Sequence, residues 1–562
     1  MKKIRWQILI IILTLVVVGV LLVHQQPTAV VILPQPASGG IYTEGMVGAL
    51  GRLNPLFDLN NPTDRDIDRL IFSGLFNFDS KGIAQPDLAE SWGVSLDGMI
   101  YNVTIRPNAV WQDGQPVTSD DFIFTLGLVR NKISAFPSDV RSMWDQVKVT
   151  ALDNKTLRFE LTEPFAPFMD YLTIGLLPKH ILSSIPSDQL LAADFNIHPI
   201  GSGPFQFDSL MVENGRIKGV ILKVFPDYYA KKPFIQQVAF QFYSSAQAAL
   251  NAYRQGEVIG ISQIPLDTLN EALNETNLSL YTSRLPRISM VLFNLKNPDV
   301  GYLQDKELRK ALLLGLNRQW IVDHLLKSQA IIADSPILPG NWAYYDGVQK
   351  YGFDQSESNA ILKNAGYILN TDGSGIRVKD NIPLSFTLIY PDDELHASIA
   401  KSIQNDWQSL GVKIEIKAVP YESLLNDYLI PRNYQAALID QDFSFNHDPD
   451  PYPFWHQSEA TGGQNYSQWD NRTASEYIEQ ARVIIDTTFR AKLYRNFQIL
   501  FAKELPALLL YYPVFTFGVD GQVSGVQIAP LYEPSDRFNS INDWYLITKH
   551  SIGNVQSGTS QP

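Results

Sequence analysis

"GLFNFDSKGIAQPDLAESWGVSLDGMIYNVTIRPNAVWQDGQPVTSDDFIFTL" occupies residues 74–126. Within it, "YNVTIRP" alternates Tyr101, Val103 and Ile105 on one face, the period-2 pattern of a half-buried strand. Asp97-Gly98 and Asp113-Gly114 read as tight turns joining strands. Thr118 stands before "SDDFIFTLGLV" as a helix N-cap, with Asp121 three residues on. Asp120 and Asp121 then lie where a helix N-terminus favours negative charge. Further on, "TLRFELT" alternates Leu157, Phe159 and Leu161. The region around 80–198 therefore predicts a small sheet with helices on it, and Trp92 and Trp111 are expected to pack that sheet.

Outward from this block the pattern stays mixed. Asp354 caps "QSESNAILKNAGY", with Glu357 three on and Gly366 as the stop. "ASIAKSIQNDWQSLG" puts Ile399, Ile403, Trp407 and Leu410 on one helical stripe. "VKIEIKAV" alternates Val412, Ile414 and Ile416, then comes a short helix in "YESLLNDYL" and a strand in "YQAALID". This is α/β architecture, with no fixed-period repeat. At 562 residues the chain exceeds what one hydrophobic core serves, so two or three lobes are expected.

Net charge is −13, which argues against nucleic acid, whose phosphates need clustered Lys and Arg. There is no cysteine, which excludes disulfides, thiol catalysis and thiolate metal sites. No phosphate loop ending in Lys-Ser/Thr, no His-Glu-x-x-His and no Gly-x-Ser-x-Gly is present. His180, after "LLPK", reads as a strand end or helix start rather than a catalytic base. A glycosidase needs only two carboxylates, so a carboxylate-pair hydrolase remains a remote alternative to a non-enzyme.

The N-terminus "MKKIRW" is basic, and Ile8 to Val23 run without a charge. Those residues reach roughly 24 Å as a helix, a little short of a ~30 Å hydrocarbon core; Trp6 and Gln7 lengthen the stretch. Residues 1–24 are expected to be a transmembrane signal anchor, with cleavage as a signal peptide the alternative. Positive-inside logic then places the rest outside the cytoplasm, at the cell membrane or secreted. Residues 25–39 read as a linker and 551–562 as a disordered tail.

"FNHDPDPYPFWHQSEATGGQNYS", residues 445–467, has too many prolines for helix or strand interior. Its acids superficially suggest a calcium loop. Counted from Asp440, however, Phe445 holds the sixth place and Pro451 the twelfth, where an EF-hand needs Gly and Glu. No metal and no cofactor is expected. The remaining readings are a packed loop whose acids cap turns and the wall of a ligand cleft.

Four stretches in order carry a resemblance: the block at 74–126, "PIGSGPFQF" at 199–207, "LFNLKNPDVGYLQDKELRKALLLGLNRQWIV" at 292–322, and "YGFDQSESNAILKNAGY" through "PLSFTLIY" at 351–390. With "DPDPYPFWHQ" and "NYS", they resemble the bacterial extracellular solute-binding proteins of family 5, the oligopeptide, dipeptide and nickel receptors of ABC importers. The resemblance implies a periplasmic-binding-protein-like (type II) clamshell with an extra inserted lobe. Residues 40–78, 199–284 and 514–550 would form lobe I, 79–198 an inserted lobe II, and 285–513 lobe III. It implies a monomer that captures a small peptide or other solute and delivers it to permease and ATPase subunits. A non-transport sensor or chaperone for extended peptides is the alternative. Expected ligand contacts are Phe293, Asn294, Asp442, Asp450, Tyr452, Phe454, Trp455, Asn465 and Tyr466, with no catalytic residue. Peptide receptors of the family commonly carry an aspartate three residues before the acid-Pro step. Here Phe445 and His447 stand there, so that contact does not carry over, and Asp440 or Asp442 is the available substitute.

Overall fold

The computed structural model describes residues 2–24, 30–371, 373–444 and 447–554. Its spine is the strand Ala507–Asp520, long enough to serve two bodies. Its first half pairs antiparallel with Arg287–Phe293, its second with Leu278–Arg284. Those two partners are consecutive in sequence, interrupted at Leu285-Pro286, where proline withholds a ladder donor. Beyond Arg287–Phe293 the sheet continues through Ala436–Asp442, Ser385–Pro391 and Lys413–Val419. On the other side it continues through Gly260–Ile261, Ile41–Val47, Gln237–Tyr243, Arg216–Val224 and Phe205–Glu213.

The core divides at the same place. Tyr512 packs into a cluster with Ile288, Leu388, Trp407 and Phe497, whereas Phe515, three residues later, packs into a cluster with Tyr42, Ile67, Phe240 and Trp544. One strand thus leaves one hydrophobic body and enters another. Two bodies joined by a pair of adjacent strand crossings have few atoms to bend, which is the geometry of a hinge.

Two strands of the 74–126 block, Ala89–Val94 and Ile100–Ile105, continue through Thr156–Glu160 and Lys148–Ala151 as an antiparallel sheet in that order. Tyr101, Val103, Ile105, Leu157 and Phe159 point inward and are buried, as their alternation requires. Their core is continuous with that of Ile41–Val47, so this sheet is an outgrowth of one body rather than a body of its own. Asp97-Gly98 turns with Gly98 at φ +73°, and the helix Ser119–Arg130 begins with the Asp121 carboxylate accepting the Thr118 N–H at 2.8 Å. Trp111 is fully buried, but Trp92 is 42% exposed, lying edge-on to Phe76, because its strand borders the sheet. His180 lies in the short helix Lys179–Leu182 and pairs with Asp113 at 2.6 Å.

The "GSG" of the second stretch has a packing role. A Cβ on Gly201 would sit 2.0 Å from the Ile71 carbonyl oxygen, and the Gly203 N–H donates to that same oxygen at 2.7 Å. These glycines therefore cap the end of the helix Pro62–Ile71 with bare backbone.

Residues 30–37, expected within a linker, form a strand instead. Val30–Ala37 pairs with Ile547–Asn554, bringing the two ends of the body together. Two-stranded ribbons have only edges, so Pro34 and Pro36 cost no central ladder bond. The N-terminal residues Lys2–His24 are helical, and the apolar side chains from Trp6 to Leu21 are mostly exposed. Among the described residues no helix is long and apolar enough to cross a membrane. Residues 555–562, the greater part of the expected tail, lie outside the described residues.

Candidate ligand-binding cleft

A cleft of about 230 Å³ opens where the two bodies meet, over Leu285-Pro286. One wall comes from the first body: Met46 and Thr63, then Ser262 and Gln263, with Phe515 from the spine strand. The other comes from Arg287, Asp442 and Ser444. The antiparallel register sets Arg287 opposite Asp442, and their side chains pair at 2.7 Å. Burial opposes the Asp442 charge, but hydrogen bonds from Ser444 and Arg287 outweigh it and hold the carboxyl below its ordinary pKa. Burial likewise opposes the Arg287 charge, and Asp442 reverses it, raising the guanidinium. Both groups are charged at neutral pH and part-exposed to the cleft.

The first wall is rigid. Arg537, fully buried, joins Glu44 and Asp66 at 2.5 and 2.7 Å, and Tyr42 donates to Glu44 at 2.6 Å. Removing Arg537 leaves two buried carboxylates without a counter-charge.

Side chains two residues apart on a strand share a face. Ser289 and Asp440 therefore continue the polar row begun by Arg287 and Asp442, opposite one another in the register. Here several polar atoms are unsatisfied: Ser289 Oγ, Asp440 Oδ1 and His396 Nε2 make no hydrogen bond. His396, at the start of Glu394–Ser409, holds Asp393 at 2.6 Å and lies 3.6 Å from Asp440. Burial disfavours its protonation, but Asp440 and Asp393 reverse that and raise its pKa. The buried polar atoms of Ser289 and Asp440 share the strand face of the cleft pair but lie behind its lining. Among the described residues no group of three or more His, Asp or Glu is placed to hold a metal ion.

Of the residues singled out from sequence, Asp442 is the one on the cleft wall. Trp455, 3% exposed, packs edge-on against Phe501 at 4.7 Å, and Phe454 against Phe443 at 5.1 Å. Phe293 is buried between Phe386 and Trp407. Asn465 is satisfied internally: its amide donates to the His456 and Trp469 carbonyls, and its oxygen accepts from Ser467 and the Trp469 N–H. Asn294 donates to the Arg432 and Tyr434 carbonyls. Asp450 pairs with Arg482 at 3.1 Å; burial raises its carboxyl. Arg482 also lies over Tyr452, which stacks on His456, while Arg432 lies over Tyr466. These side chains are taken up by the protein itself.

The proline-rich loop instead closes the seam between the bodies. His447 stacks on Phe78 at 3.9 Å and packs at a tilt against Tyr532 at 4.4 Å, and its carbonyl accepts from Asn341. Burial lowers its imidazole to about 4. The Asp448 N–H donates to Asp170, and the Asp448 carboxylate pairs with Arg490 at 2.7 Å. Phe445 lies outside the described residues. Arg287, Ser289, His396 and Ser262-Gln263 were not picked out from sequence. The one local signal was "LPR" between two strand-like runs, 278–284 and 287–293, marking a strand broken at the seam.

The comparisons with known proteins agree with this architecture. The family model "Bacterial extracellular solute-binding proteins, family 5 Middle" matches residues 84–464. The oligopeptide-binding protein AppA of Bacillus subtilis is 26% identical, with 91% of this chain and 92% of that protein covered. Its structure with a nonapeptide covers 91% of this chain and all of that one, at a TM-score of 0.66. The Dipeptide-binding protein of Escherichia coli is 25% identical over 79% of this chain and 84% of its own. The substrate-binding protein CtaP of Listeria monocytogenes is 25% identical, covers 91% and 99%, and superposes at a TM-score of 0.74. A broken sheet joining two bodies over a charged cleft, and a family match across most of the chain, place this protein among the bacterial extracellular solute-binding proteins of family 5.

Proposed function

We propose that this protein is the extracytoplasmic receptor of an ABC importer and that its ligand is a peptide. The observation that carries the reading is the Arg287–Asp442 pair on the cleft wall beside the strand crossings. A peptide brings an ammonium and a carboxylate, and this wall presents one partner for each. Ser289 and Asp440 continue the same polar row along the two strands, behind the pair. AppA is an oligopeptide-binding protein and its Escherichia coli relative a dipeptide-binding protein, which supports the same ligand class. On this reading the two bodies close over the ligand and the closed form delivers it to the permease. We also propose that the helix Lys2–His24, whose apolar side chains from Trp6 to Leu21 are mostly exposed, holds the receptor at the membrane.

Native mass spectrometry of the purified protein tests the ligand class. Co-purifying peptides support it, and a bound metal complex or sugar overturns it. Calorimetric titration with the identified peptide should then show a loss of about 5- to 150-fold in affinity for Arg287→Ala. Alkaline carbonate washing tests the anchor: the full chain should stay with membranes and a variant lacking residues 1–24 should be released.

A further inference from the structure

The far side of the helix Pro62–Ile71 lines a second, polar cavity of about 170 Å³, away from the cleft. At ~30 Å³ each, that is room for about five waters or one small molecule. Four acids line it, Asp58, Asp68, Asp87 and Glu533, against two arginines, Arg65 and Arg69. Arg65 faces Glu533 at 3.7 Å, and Arg69 donates to Asn539 at 2.8 Å and faces Asp536. Asp87 accepts from the Tyr229 hydroxyl.

Asp68 stands apart. It is 4% exposed, and neither of its carboxylate oxygens makes a well-formed hydrogen bond. Burial, then the negative charges of Asp58 and Asp64, push its carboxyl well above the ordinary range, against the smaller pull of the Asn54 N–H, and the neighbouring Asp58 carboxyl favours its protonated form further. A buried carboxylate without a partner is costly, and a cation or a proton relieves it. Protons do so at the expense of the surplus acids; a cation neutralises them directly. No group of three or more acids or histidines among the described residues is set for metal ligation, so a bare metal ion lacks a coordination shell here. Asn77 and Asn539, with Phe72 and Phe538, complete the lining, a mix of polar and apolar groups that suits an alkyl ammonium ion.

We propose that this cavity binds a small organic ammonium ion, with Asp68 as its anchor and a short diamine matching the surplus of acids over arginines. The site is independent of the peptide cleft, although both use the helix Pro62–Ile71. Binding transfers protons from the acids to solvent and leaves the carboxylates paired with ammonium.

Calorimetric titration of the full chain with 1,4-diaminobutane tests this, run at pH 8 in two buffers of different ionisation heat. The expected result is saturable binding whose heat differs between buffers, showing proton release, and a rise in melting temperature. Asp68→Asn, the neutral isostere of the protonated acid, should fold and weaken diamine binding at least tenfold. Asp442→Asn, in the cleft, should leave it unchanged, so loss of peptide binding and loss of diamine binding are separate outcomes. Absence of heat and of stabilisation at millimolar diamine would overturn the proposal, as would equal binding by Asp68→Asn. Stabilisation by calcium without any by diamine would also overturn it, and Asp58→Asn provides a second variant should Asp68→Asn fail to fold.

Discussion

Asp442 carries its charge on the cleft wall with 43% of its side chain exposed, so replacing it removes little packing. Asp442→Asn should cost roughly tenfold or more in affinity for a cationic ligand end while shifting the unliganded melting temperature by little. The sign of its pH dependence follows from its lowered pKa. The paired carboxylate stabilises the protein above its ordinary pKa of about 4, and that contribution is lost as pH falls through the lower folded value. Affinity titrated from pH 7 to 5 should therefore be flat on account of this group. Asp58 behaves oppositely. Burial raises it to about 8, so its favourable state is the protonated one, complete below about 4 and lost as pH rises through 8, with Arg65, Glu533 and Asp64 as its charged neighbours. Asp58→Asn should flatten the fall in melting temperature between pH 6 and 9. Trp455→Ala, by contrast, empties a core site and should cost about 3–5 kcal/mol in denaturant unfolding. A small stability loss with a large affinity loss would return that ring to the cleft.

At the scale of elements, caps and close approaches set the boundaries. The Asp354 carboxylate accepts the Glu357 N–H at 2.8 Å, so Asp354→Ala should lower stability by about 0.5–2 kcal/mol through the helix Gln355–Asn364 alone. Gly201→Ala is harsher in kind, because the new methyl meets backbone rather than a movable side chain. It should cost roughly 1–3 kcal/mol or more by overpacking, read as a fall in the urea midpoint. The strand Ala507–Asp520 matters differently: it belongs to both cores, so neither body keeps its sheet without it.

For the whole molecule, function depends on how two bodies move about two strand crossings. His447 bridges the seam between Phe78 and Tyr532, and the Asp448 N–H reaches across it to Asp170. Small-angle scattering should show a smaller radius of gyration at saturating peptide than without it. His447→Ala should enlarge the unliganded radius and weaken binding, because the closed arrangement loses ring contacts that no ligand supplies. An unchanged curve in both experiments would count against closure as the binding step.

Local rules were enough for much of this protein. The alternation of Tyr101, Val103 and Ile105, the stripe of Ile399, Ile403 and Trp407 and the caps at Thr118 and Asp354 are short-range patterns, each decided by neighbours within a turn or a strand. The strand at 30–37 escaped that reading because its partner lies some 500 residues away, and pairing is decided by register rather than by composition. The cleft escaped it for the same reason. An aromatic, proline-rich loop has the chemistry of a ligand wall and of a buried seam alike, and only the packing of Phe501 against Trp455 distinguishes them. Arg287 and Asp442 lie 155 positions apart and become a site only when an antiparallel register sets them opposite one another. Sequence determined the elements and the family. Tertiary structure decided which side chains were spent on holding the bodies together and which were left with charge to offer a ligand, because burial and pairing are properties of the assembled surface.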